Sequence, residues 1–356
     1  MSGFLIPHFG LVRQYANLKE ELLVATDLAM RDGIFIGGEY TMIFENWLKE
    51  RTDCEYATVT HSGTEALELI AGYMSDISFL AGDYETPTVQ LPNLTYPATF
   101  NAFYGSGWNV ELIDVDKNGL MLDSSDMSYN KFRCIVGFAG ASPDYWFTSN
   151  DIIDGAQHWL ATDARQTGNG MAISFDPTKN LPSSGNGGAI VTNDQSLYEF
   201  SVSMKNNGKP DHFYPGTNSK MSELECSHMM VRTRYIDHWQ QRRLKIRQYY
   251  LDRFVDLPIR CLSREFKNHA DQKFVIYTDH RNELDKFMQS NGIETKIHYP
   301  YALSELPVTR DITVKPDMMS TSVMLTRGVL SLPIYPELTD SEIEAVADTV
   351  CKFFDK

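Results

Sequence analysis

Residues 151–193 read DIIDGAQHWLATDARQTGNGMAISFDPTKNLPSSGNGGAIVTN. Two short apolar runs stand out, each ending in a polar residue. Ile152-Ile153 leads into Asp154 and, three residues on, Gln157; Met171-Ala172-Ile173 leads into Ser174 and, five residues on, Lys179. A loop rich in Pro, Ser and Gly separates the second run from a third, Gly188–Thr192. Short apolar runs bounded by turn residues read as buried strands of an α/β sheet, and the ends of parallel strands are where ligands sit. The reading aims a carboxylate, an amide, a hydroxyl and an amine at one sheet edge. Spacing alone leaves a second reading open, a structural ion pair between a buried Asp and a Lys.

The whole chain narrows the class. Its 356 residues are many for one core and suit two domains. The formal net charge of −15 argues against a nucleic-acid or anionic-membrane surface, though it leaves room for a local basic pocket that takes a phosphate. The five cysteines, Cys54, Cys134, Cys226, Cys261 and Cys351, are odd in number, far apart and without a C-x-x-C, so reduced thiols in a cytoplasmic compartment are expected. No signal peptide, membrane span or metal-ligand set is expected.

Along the chain, residues 11–31 carry apolar residues at helical spacing and stop at Asp32-Gly33; a second helix runs through Phe44 and Trp47. Strands are expected at 56–60, 88–91, 110–115, 134–138, 274–278, 295–299 and 330–334. Helices are expected at 194–206, 231–254 and 282–290, with a last one from Thr339. The segment His61-Ser62-Gly63-Thr64 turns the first strand into a helix with Ala66, Leu67, Ile70 and Met74 on one face. Free first-turn amides there make an anion site, although Ser and Thr also cap ordinary helices.

These segments together resemble one family. S-F-D-P-T-K-N-L at 174–181, followed by G-N-G-G-A-I-V-T-N-D, is similar to the Schiff-base lysine segment of the DegT/DnrJ/EryC1/StrS sugar aminotransferases. Matching pieces occur in order: S-G-T-E-A-L at 62–67, T-Y-P-A-T at 95–99, G-T-N-S-K-M at 216–221, K-I-H-Y-P at 296–300 and L-S-L-P-I-Y-P-E-L-T at 330–339. The resemblance implies an α/β chain of the aspartate-aminotransferase-like fold, with a mostly parallel sheet in a large cofactor domain (1–235) and a small α/β domain (236–356).

It also implies the site. Lys179 takes pyridoxal 5'-phosphate as a Schiff base and shuttles a proton, and Asp154 keeps the ring nitrogen protonated. Gln157 lies beside the ring oxygen, and Tyr96 stacks on the ring. Gly63, Thr64 and Ser174 hold the phosphate, with Asn218 from the partner subunit of a homodimer with shared active sites. Lys220, His298 and Tyr299 correspond to positions facing the sugar nucleotide. Relatives mostly have arginine at the Lys220 position, and a lysine lacks the two-pronged phosphate contact. On the residues alone, His298 reads equally well as a satisfied surface histidine.

The implied reaction passes an amino group from an amino acid, L-glutamate leaving as 2-oxoglutarate, through pyridoxamine 5'-phosphate to the keto carbon of a nucleotide-linked keto-sugar. That is a step of amino-sugar and polysaccharide biosynthesis, with the N-terminal and 216–220 segments leaning toward 3-keto substrates. Two rivals share the cofactor. A sugar dehydratase replaces the lysine with histidine, whereas Lys179 is present. A non-catalytic sensor or scaffold is set against the retained trio Lys179, Asp154 and Gln157. A cysteine desulfurase would want a reactive cysteine on a loop, and a nicotinamide dehydrogenase G-x-G-x-x-G after the first strand; neither is found. One departure is structural: only residues 141–153, including Pro143, Tyr145 and Trp146, join Gly140 to Asp154. The crossover helix of relatives is therefore expected to be cut down, leaving that face thinly covered.

Overall fold

Seven short apolar runs pair into one sheet. They are β1 (Tyr56–Thr60), β2 (Thr88–Pro92), β3 (Asn109–Ile113), β4 (Lys131–Val136), β5 (Asp151–Asp154), β6 (Met171–Ser174) and β7 (Gly188–Thr192), in the order β1-β7-β6-β5-β4-β2-β3. The pairs from β6 through β5, β4 and β2 to β3 are parallel, and β7 runs antiparallel to both its neighbours. The computed structural model describes residues 4–80, 82, 84–123, 130–142, 148, 150–161, 168–266, 268–312 and 320–355.

Both faces of this sheet are buried, and the two-residue period of a strand divides its side chains between two cores. Ile153, Ile173 and Val191 join one core with Leu18 and Leu22 of α1 (Leu11–Arg31), Phe44 and Leu48 of α2 (Glu39–Thr52), and Cys226 and Met229 of α6 (Glu223–Thr233). Their neighbours Ile152, Ala172 and Ile190 face the other way. They pack with Ala66 and Ile70 of α3 (Gly63–Leu80), Phe100 and Phe103 of α4 (Pro97–Gly105) and Leu197 of α5 (Gln195–Met204). The Asp194 carboxylate caps α5 by accepting from the Ser196 and Leu197 amides.

The segment 231–254, expected as one helix, is two. α6 (Glu223–Thr233) starts with a capping box between Ser222 and Glu225, and α7 (Ile236–Arg253) follows after a break at Arg234-Tyr235. No Gly or Pro marks the break. At it, Arg234 Nη2 and the Tyr235 hydroxyl both turn to the Glu21 carboxylate of α1, each at 2.5 Å. The tie is tertiary, which is why local pattern did not reveal it.

The C-terminal part builds a three-stranded antiparallel sheet, β10-β9-β8, from β8 (Arg260–Cys261), β9 (Phe274–Tyr277) and β10 (Val329–Leu332). Helices α7, α8 (Arg281–Ser290) and α10 (Asp340–Phe354) enclose its core, with α9 (Ser320–Gly328) leading into β10. The expected strand at 295–299 is reduced to a single bridge, Lys296 to Ser331. Beyond that rung the chain leaves the ladder, because His298 Nδ1 bonds the Ser331 hydroxyl at 2.8 Å instead of the backbone pairing on. The strand expected at 330–334 is β10, which ends before Pro333, a residue unable to donate to a ladder.

A fourth apolar cluster joins the two sheets, with Leu94, Val115 and Phe138 against Val275, Leu325 and Val329. Backbone bonds cross the same seam, from Ala270 N–H to Gly140 O (2.7 Å) and from Lys273 N–H to Ala139 O (3.0 Å). The short crossover does join parallel strands, with Cys134 opposite Ile152. How thickly that face is covered turns on Pro143, Tyr145 and Trp146, which lie outside the described residues. Among the described residues none of the five cysteines forms a disulfide. Among the described residues no helix is long and apolar enough to cross a membrane.

Candidate active site

The carboxyl ends of β1, β2, β5 and β6, with the entry to β7, open on one cavity of about 540 Å³. β1 leads into Ser62-Gly63-Thr64 at the start of α3. The first intrahelical bond there runs from Ala66 N–H to Ser62 O (3.1 Å), so the Gly63 and Thr64 amides precede it. The strand ends meet closely: a Cβ on Gly63 would stand 2.7 Å from Ser174 Cβ, and one on Gly188 would run into the Ser62 backbone. Glycine is required at both places for lack of room. Ser174 and Thr64 therefore line one small cradle at a helix N-terminus.

β5 delivers Asp154, which is 6% exposed. Thr99 Oγ1, from the first turn of α4, donates to Oδ2 at 2.8 Å, and Ala156 N–H donates to Oδ1 at 3.1 Å. Burial pushes this carboxyl above the usual carboxylate range, and those two donors and the Lys179 charge pull it back. The loop after β6 is a turn about Asp176, whose carboxylate accepts from Thr178 N–H (2.9 Å) and Thr178 Oγ1 (2.5 Å). It presents Lys179 to the cavity. Burial holds that amine below the usual lysine range, partly offset by Asp154 and Asp176.

Gln157 is held on both sides of its amide. Oε1 accepts from Ala139 N–H (3.0 Å) and from Lys273 Nζ (3.1 Å), while Nε2 donates to the Tyr299 hydroxyl (3.2 Å). Tyr96 caps α4 and lies with its ring 6.0 Å from that of Tyr299. His298 lines the same cavity. Burial first, and then the Lys273 charge, hold it well below the usual histidine range, so it is neutral. It is half-buried and already bonded to Ser331, which sets aside the reading as a surface histidine.

Nine of the eleven expected residues therefore line one space: Gly63, Thr64, Tyr96, Asp154, Gln157, Ser174, Lys179, His298 and Tyr299. Asn218 and Lys220 do not. Asn218 is exposed, and Lys220 Nζ donates to Asn206 Oδ1 (2.9 Å) and Asn218 Oδ1 (2.8 Å) on the surface of the same chain. Among the described residues no cluster of three or more His, Cys, Asp or Glu is placed to hold a metal ion.

A profile of the DegT/DnrJ/EryC1/StrS aminotransferase family matches residues 16–129 and 155–351. The chain belongs to that family. It is 27% identical to the erythromycin biosynthesis sensory transduction protein EryC1 of Saccharopolyspora erythraea, over 97% of this chain and 98% of that protein. It is 26% identical to the dTDP-3-amino-3,4,6-trideoxy-alpha-D-glucose transaminase of Streptomyces venezuelae, over 97% of this chain and 95% of that protein. The crystal structure of S. venezuelae DesV superposes with a TM-score of 0.88 at 25% identity, covering 99% of both chains. The fold is that of the aspartate-aminotransferase-like, pyridoxal-phosphate-dependent transferases.

The cavity of this DegT/DnrJ/EryC1/StrS member fits pyridoxal phosphate by its own geometry. The cradle of Gly63, Thr64 and Ser174 has amide and hydroxyl donors and no room for a Cβ at Gly63. A braced carboxylate, an amide and a lysine of lowered basicity line the same cavity. Three residues of the site were not singled out from sequence. Thr99 was within reach, since it ends the T-Y-P-A-T motif one helical turn from Tyr96. Asp176 lies inside the lysine motif itself. Lys273 had no signal, because a lysine entering a strand reads as solvent-facing.

Proposed function

We propose that this aminotransferase passes an amino group from L-glutamate to the keto carbon of a nucleotide-linked keto-sugar, leaving 2-oxoglutarate, in amino-sugar biosynthesis. What carries the reading is that Lys179, Asp154 and Gln157 line the same cavity as the Gly63–Thr64 cradle. When bound, the cofactor supplies an electron sink that acidifies the substrate carbon. The Asp154 carboxylate, oriented by Thr99 and Ala156, would hold the proton on the ring nitrogen. Lys179 Nζ, of lowered basicity, would carry the proton taken from the substrate carbon. Gln157, with Oε1 occupied by two donors and one Nε2 proton given to Tyr299, has its second Nε2 proton left for the cavity side. Gly63, Thr64 and Ser174 would receive the phosphate, and Tyr96 would cover the ring. His298, neutral, and Tyr299 would border the sugar.

The same reading makes the enzyme a cytoplasmic homodimer divided near residue 235. Leu28, Ile34, Phe35, Ile36 and Met42 expose apolar surface on and beyond α1, as an unpaired subunit face would. Asn218, exposed, and Lys220, half-buried, both outside this chain's cavity, would serve the partner's site. The 3-keto position favoured by the sequence accords with the S. venezuelae transaminase, whose name describes a 3-amino sugar.

The test is transfer of nitrogen-15 from labelled glutamate to a panel of 3-keto and 4-keto sugar nucleotides, read by mass spectrometry. A regulatory reading has one observation behind it, the sensory name of the EryC1 relative. Cofactor binding without transfer to any of the panel, and without conversion of glutamate to 2-oxoglutarate, would favour that second reading.

A further inference from the structure

Among the described residues, Lys273 is the basic side chain lining the cavity to which the proposed chemistry gives no task. It enters from the small sheet, just before β9, and is 6% exposed. Its two side-chain hydrogen bonds go to neutral amide oxygens, Gln157 Oε1 at 3.1 Å and Gln272 Oε1. In its ammonium form the side chain has three protons to donate, so one is left over. Among the described residues Lys273 forms no ion pair. The charged groups around it are Lys179 and Arg243, which repel it, and Asp176; His8 and His298 are neutral imidazoles. The two carboxylates on the cavity wall are already engaged, Asp154 by Thr99 and Ala156, and Asp176 by Thr178.

Burial first, and then the Lys179 charge, hold the Lys273 amine well below the usual lysine range. Its geometry, two bonds to neutral oxygens and no ion pair among the described residues, leaves its ammonium form uncompensated, and an arriving anion favours that form. The phosphate is provided for elsewhere, at the Gly63–Thr64 cradle. The anion that Lys273 awaits is therefore a different one, and the proposed substrates offer carboxylates. We infer that Lys273 is a binding residue for a substrate carboxylate. The carboxylate comes either from the amino-acid donor or from a uronate sugar, and the inference rests on the proposed function for these ligand classes.

Two unreactive probes separate the sources. The purified holoenzyme is titrated calorimetrically with glutarate and, separately, with UDP-glucuronate; UDP-glucose serves as the matched ligand without a carboxylate. Lys273→Met should weaken one of the two carboxylate ligands about ten- to a hundredfold, the worth of a hydrogen bond to a charged group, and leave UDP-glucose unchanged. Lys273→Arg should keep most of the affinity. An effect on glutarate assigns the carboxylate to the donor, and one on UDP-glucuronate assigns it to the sugar. The inference falls if wild type binds neither probe, if Lys273→Met changes neither, or if UDP-glucose weakens as much as UDP-glucuronate. Visible absorbance and amine transfer are read independently. A colourless protein whose glutarate affinity still depends on Lys273 would sink the transaminase reading alone. A yellow, active enzyme indifferent to Lys273→Met would sink this inference alone.

Discussion

Replacing Thr99 by valine removes one hydroxyl and keeps the shape of the side chain. That hydroxyl donates to Asp154 Oδ2 at 2.8 Å, and both residues are buried, Thr99 at 1% exposure. A hydrogen bond to a charged group is worth about 1.5–3 kcal/mol net. Its loss lowers the ratio of ionised to protonated Asp154 at fixed pH about ten- to a hundredfold. The sign follows from which form loses the donor. The carboxylate is disfavoured, so a group that burial already pushes up is pushed further. A reaction that needs the ionised form then fails at a higher pH as acid is added. The assay is the pH profile of the glutamate half-reaction in single turnover, followed by visible absorbance. Thr99→Val should carry its acid limb to higher pH, and Thr99→Ser, which keeps the donor, should restore it. A Thr99→Val profile superimposed on that of wild type would refute the bracing of Asp154 by Thr99.

Three further outcomes are expected. Borohydride reduction followed by peptide mapping should fix a pyridoxyl group on Lys179 and, in Lys179→Ala, on no other lysine; label elsewhere would reassign the site. Gly63→Ala places a Cβ 2.7 Å from Ser174 Cβ. Overpacking of this kind costs about 1–3 kcal/mol and should weaken cofactor binding about five- to a hundredfold in a titration of the apoenzyme, whereas unchanged affinity would place the phosphate elsewhere. Asn218→Ala and Lys179→Ala subunits, each impaired alone, should regain activity when mixed under exchange, because a shared site leaves one of the two sites intact. Absence of recovery, once exchange is verified, would show that Asn218 serves its own chain.

Much of the site was legible because its residues sit on short local motifs with mechanical reasons. Gly63 and Gly188 are required where two strand ends touch, and Asp176-Pro177-Thr178 is a self-bonded turn that sets Lys179 directly after it. The strands at 56–60 and 188–192 were legible for the same kind of reason, a buried apolar run between turn residues. The break at Arg234-Tyr235 and the loss of the 295–299 strand were not. Each is decided by a distant partner, Glu21 in one case and Ser331 in the other.

The sequence by itself determined the family and its cofactor class, and it singled out the lysine and aspartate proposed to serve that cofactor, since each is a residue type at a fixed offset from a strand or turn. Only the tertiary structure decided what surrounds them. Thr99 reaches Asp154 across 55 residues, and Lys273 reaches Gln157 across 116. The Lys273 amine is exceptional because the small sheet packs it against the large one, away from water and from an ion-pair partner among the described residues. Burial and counter-charge belong to no single segment, so no reading of one segment contains them.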